Sequence, residues 1–115
     1  MEQNDYQALK DRLEEFLGNN WNAMYPLGHP GHNRELSDDE VLEQFVTHTS
    51  EPNIQQAIDD IRDFAAAPNE TLPEKARFIR GHVSTPTYIP SDSDQEAINW
   101  LDTQAKGLQD RLGRR

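Results

Sequence analysis

The chain has no cysteine in its 115 residues, which excludes a disulfide framework, a thiol nucleophile and thiolate metal ligands. Long apolar runs are missing too: nothing approaches the ~18 residues needed to span a bilayer. Apolar residues are sparse at 34%, below the ~45% (glycine included) usual for a globular protein. Basic residues are scarce as well, 11 Lys and Arg against 21 Asp and Glu, for a net charge of −10. Phosphate binding needs clustered Lys and Arg, so this balance works against nucleic acid and anionic membranes. The expected partner is a protein, and a basic one. The N-terminus, Met-Glu-Gln-Asn-Asp, is acidic and polar and reads as no signal peptide. With the missing cysteine it fits the reducing cytoplasm.

What is present is unevenly placed. Residues 1–66 carry 14 acidic and 4 basic side chains, whereas residues 67–115 carry 7 of each. The whole net charge therefore belongs to the first half. Some of it falls in like-charge pairs at helical spacing, Asp39 with Glu43 and Asp59 with Asp63. Such pairs cost an isolated helix a few tenths of a kcal/mol each.

Apolar periodicity predicts five helices. Tyr6, Leu9, Leu13, Phe16 and Leu17 define the first, from about Asp5 as N-cap to Leu17, with Gly18 as its stop. Trp21 follows in a short aromatic stretch, then Gly28, Pro30 and Gly31 mark a loop over 27–36. Three later helices open with capping boxes, in which a Ser or Thr caps and a Glu three residues on reaches back. These are Ser37 to Glu40, Thr71 to Glu74 and Ser93 to Glu96. Ser50 with Pro52 in the first turn starts another, carried by Ile54, Ala57, Ile58, Ile61 and Ala65. The stretch 83–90 holds two prolines and reads as a connector rather than a strand. The fold class is an all-α single-domain bundle of about five helices joined by short polar loops.

No catalytic constellation stands out. His29 and His32 are separated by Pro30 and Gly31, which fix no helical face, whereas a metalloprotease places two histidines four apart on one helix. His48 and His82 fall near helix C-termini, where the dipole favours a cation. A glycosidase pair needs one carboxyl in an apolar pocket, and the carboxylates here lie opposite the apolar stripes. The run Asp38 to Glu40 and the pair Asp92 and Asp94 lack the twelve-residue calcium loop. The sequence reads as no enzyme and calls for no metal or cofactor.

The acidic helix faces are the stronger candidate. At ~100° per residue, the stripe Ile54, Ile58, Ile61 and Ala65 turns Gln56, Asp59, Asp60 and Asp63 outward. On the preceding helix Glu40, Glu43 and Thr47 point away from Val41 and Phe45. A solvated face serving solubility is the plain alternative. Among the aromatic residues, Trp21 and Trp100 are expected to pack the bundle. Tyr88, between two prolines, is expected to face outward as an interface anchor. The candidate binding residues are Glu40, Glu43, Asp59, Asp60, Asp63 and Tyr88.

The order of these features resembles a known family. The run Leu13-Glu14-Glu15-Phe16-Leu17-Gly18-Asn19-Asn20-Trp21-Asn22 is similar to the start of the small helical immunity proteins of bacterial contact-dependent growth inhibition systems. There the first helix runs into a polar residue, a Trp and a short turn, and Asn20 stands where an Asp is typical. Val41 to Val46 is similar to that family's second helix, and Ile54 to Phe64 to its long third. Asn99-Trp100-Leu101 resembles its Trp-Leu pair in the last helix. The loop from Gly28 to Glu35 is longer than in the family pattern, and the resemblance spans roughly Leu9 to Leu112. It implies a cytoplasmic protein that neutralises a cognate toxin domain, often a nuclease, by stoichiometric occlusion. The other expectation the residues leave open is an acidic helical adaptor or regulatory subunit for another basic protein.

Overall fold

A computed structural model describes residues 1–21, 37–83 and 93–114. The described residues form five helices and no strand: α1 (Gln3–Trp21), α2 (Asp38–Thr47), α3 (Glu51–Ala66), α4 (Leu72–His82) and α5 (Asp94–Gly113). The two longest, α1 and α5, each pack against α2, α3 and α4. This is the all-α bundle that the periodicity predicts. Tyr6 stacks on Phe64 and Arg12 bonds Asp60, so α1 and α3 run antiparallel. Lys10 lies over Phe78 and Glu14 faces His82, so α1 and α4 run parallel. The innermost layer holds Leu9, Leu13, Leu17, Ile54, Ile58, Ile61, Phe64, Ile79, Leu101 and Leu108, each at most 1% exposed. No described helix is long and apolar enough to cross a membrane.

Two of the expected capping boxes form as the sequence predicts. Ser37 Oγ accepts from the Glu40 N–H and Glu40 Oε1 accepts from the Ser37 N–H, and Thr71 and Glu74 exchange the same pair of bonds. The third does not. Ser93 makes no side-chain cap bond. Arg80 instead donates from Nη2 to the Ser93 carbonyl at 2.7 Å and from Nη1 to Asp94 Oδ1 at 2.9 Å. A guanidinium from α4 thus fixes the start of α5, and a tertiary anchor replaces the local one. Ser50 likewise caps without its side chain.

The first helix is longer than expected at both ends. It begins at Gln3, which puts Asp5 in the first turn rather than at the N-cap, and it runs through Gly18 to Trp21. Glycine inside a helix costs about 1 kcal/mol relative to alanine. Burial of Trp21, edge-on to Phe16 at 5.5 Å, outweighs that cost, because a large aromatic side chain gains on the order of 2–3 kcal/mol from burial. Asn20 stays helical and donates from Nδ2 to the Phe16 carbonyl at 2.7 Å. Lys75 is buried on α4, where Nζ donates to the carbonyls of Ala65 and Ala67 and closes the C-terminus of α3. A cation at that end meets the unpaired carbonyls and the negative end of the helix dipole.

Candidate protein-binding surface

The expected acidic strip is divided by the structure. Asp59 and Asp63 are exposed on α3, as their helical positions predict. Asp60 is not: its side chain is 5% exposed, against 48% for Arg12, which holds it. Arg12 donates from Nε to Oδ2 at 3.0 Å and from Nη2 to Oδ1 at 2.9 Å, and Gln56 Nε2 adds a bond at 2.9 Å. The outward placement of Asp60 is therefore corrected. The reason lies in the width of the apolar stripe: Phe64 is fully buried and carries the stripe past the line through Ile54, Ile58 and Ile61. Asp60, one helical turn before Phe64, then sits at the α1 junction, where a carboxylate needs a partner. The Asp60 hydrogen bonds, and the fields of Asp60 and Asp63, push the Arg12 guanidinium above its ordinary range.

Glu43 is exposed, but it belongs to another junction. Its Oε1 accepts from Arg111 Nε at 2.9 Å on α5, and the same guanidinium reaches Asp39 Oδ1 at 3.4 Å. Arg111 is only 11% exposed, so α2 carboxylates close the α2–α5 contact. Glu40 is exposed yet held in the Ser37 capping box. Glu40 and Glu43 thus each serve an internal bond, the capping role of Glu40 being the one its sequence position predicts. Tyr88 lies outside the described residues, as do His29 and His32.

What continues the strip is α1. Arg12 and Asp5 are seven residues apart and so lie on the same flank of α1, the flank that faces α3. Glu15, three residues past Arg12, lies next to that flank. Asp5, Glu15 and Asp63 are exposed and form no ion pair among the described residues, and Asp59 accepts only an amide bond from Gln55 Nε2 at 3.1 Å. Arg62, also on α3, forms no ion pair with them among the described residues. The result is a rim of hydrated carboxylates around the Arg12–Asp60 pair. Sequence reasoning missed Asp5, Arg12 and Glu15. The usable signal was the sole arginine of α1 beside a helix whose acid abuts the apolar stripe.

His82 is held within the fold. His82 Nδ1 lies 2.8 Å from the Phe78 carbonyl and Nε2 lies 3.4 Å from Glu14 Oε1. Among the described residues no three His, Asp or Glu side chains are grouped to hold a metal ion. No family model, curated protein or solved structure matches this chain.

Proposed function

We propose that this chain is an immunity protein: it binds a basic toxin domain of the contact-dependent growth inhibition type and neutralises it by stoichiometric occlusion. The observation that carries the reading is the α1–α3 rim, where exposed Asp5, Glu15, Asp59 and Asp63 have no paired cation among the described residues. A net charge of −10 supports it. A nuclease holds the phosphate backbone with Lys and Arg, and an acidic rim is the electrostatic complement of such a groove. Exposed rim charges chiefly steer encounter, raising association above the unsteered ~10⁵–10⁶ M⁻¹s⁻¹. Tyr88 supplies an aromatic anchor in this reading, since hot spots are enriched in Tyr and Trp. Glu40 and Glu43 contribute less, because each already serves an internal bond.

The test uses the toxin domain encoded by the open reading frame immediately upstream. Co-expression with this protein should restore growth, and the purified pair should form a 1:1 complex without toxin activity. A toxin domain that stays active and unbound in the presence of excess protein overturns the reading.

A further inference from the structure

Asp38, the first residue of α2, accepts from both tryptophan indoles of the protein. Trp21 Nε1, at the end of α1, donates to Oδ1 at 3.0 Å, and Trp100 Nε1, on α5, donates to Oδ2 at 2.9 Å. The two rings meet edge to face at 5.3 Å. One carboxylate thereby ties three helices and joins the two residues that flank the connection 22–37. The helix it fastens is the least independent of the five. At 10 residues, α2 is too short to persist alone in water. The other four helices each bury a side chain to 1% or less, Leu13, Ile58, Ile79 and Leu101 among them, whereas α2 buries Val41, Leu42 and Val46 to 6, 2 and 7% and sets a partly buried Phe45 edge-on to Phe16 at 4.9 Å. Among the described residues, Asp39 and Glu43 also tie α2 to α5, and they share the single guanidinium of Arg111.

We propose that α2 is a latch, docked on α1 and α5 through Asp38, which opens as a unit while α1, α3, α4 and α5 stay folded. Opening uncovers the Phe16, Trp21 and Trp100 patch that α2 meets through Phe45 and Asp38. The device is independent of the partner proposed above. Hydrogen bonds to a charged acceptor, lost from a native contact, correspond to about a ten- to hundredfold shift in an opening equilibrium.

Native-state hydrogen exchange in low urea, followed residue by residue on the whole protein, tests this. In the wild type the α2 amides should exchange through an opening with a weaker urea dependence than the slowest α3 and α5 amides. Asp38→Asn puts an amide donor against an indole donor, and Trp100→Phe keeps the ring stack but removes one N–H. Each should speed α2 exchange about ten- to hundredfold and shift tryptophan emission to the red. Ile58→Val, a change in α3, should speed the slowest α3 and α5 amides several-fold and leave α2 exchange at its wild-type rate. The proposal is overturned if α2 amides share the urea dependence of α3, if Ile58→Val accelerates all of them equally, or if neither lock variant changes α2 exchange.

Discussion

Arg12→Gln should destabilise the protein by about 2 kcal/mol, because it leaves the Asp60 carboxylate buried without its cation. The figure is below the ~3–5 kcal/mol of a fully buried pair because Arg12 is half in water. Asp59→Ser, one position away, should stay within about 0.5 kcal/mol of wild type. Urea denaturation separates the two, and equal midpoints would contradict the placement of Asp60. Glu74 offers a pH test. The Thr71 N–H, and then the Thr71 hydroxyl, hold its carboxyl below the ordinary glutamate range. Because the folded value is the lower one, the stabilisation is complete above the unfolded value and is lost as pH falls through the folded value. Glu74→Gln keeps the capping geometry without the charge. Wild type should therefore be the more stable at neutral pH, and the gap measured by thermal unfolding should close in acid. A gap that does not vary with pH would contradict the assignment.

Helix elements were legible where local chemistry decides them. The boxes at Ser37 and Thr71, and the first-turn prolines Pro52 and Pro73, mark starts that the structure keeps. Where tertiary contacts decide, local signals misled: Gly18 reads as a stop, but Trp21 draws the helix past it, and Ser93 reads as a box, but Arg80 takes over its role. Glycines test the difference. A methyl group at Gly18 meets no described atom within 4 Å, so Gly18→Ala should stabilise by about 0.5–1 kcal/mol through helix propensity. At Gly107 a Cβ would fall 2.6 Å from Leu42 Cδ1, where α2 lies against α5. Overpacking of about 1–3 kcal/mol then exceeds the propensity gain, and Gly107→Ala should destabilise by about 1 kcal/mol. Thermal melts of both variants check the signs, and a stabilising Gly107→Ala would contradict the close α2–α5 contact.

At the scale of the molecule, sequence counting placed all of the net charge in residues 1–66, but it could not show how the fold redistributes that charge. Asp39 and Glu43 meet Arg111 from the other half of the chain, Glu14 faces His82, and Asp60 turns in toward Arg12. Such pairings join positions 48 to 72 residues apart, and no helical period reports them. Beside the Arg12–Asp60 junction, the exposed acids without an ion pair among the described residues include Asp59 and Asp63 from the expected strip and Asp5 and Glu15 from α1. The most direct measurement is the association rate constant of the upstream-encoded toxin domain, for wild type and Asp59→Ser/Asp63→Ser, at low and at physiological salt. The account predicts association about tenfold slower for the double variant at low salt, with a shallower salt dependence and little change in dissociation. Equal association rates at low salt would contradict it.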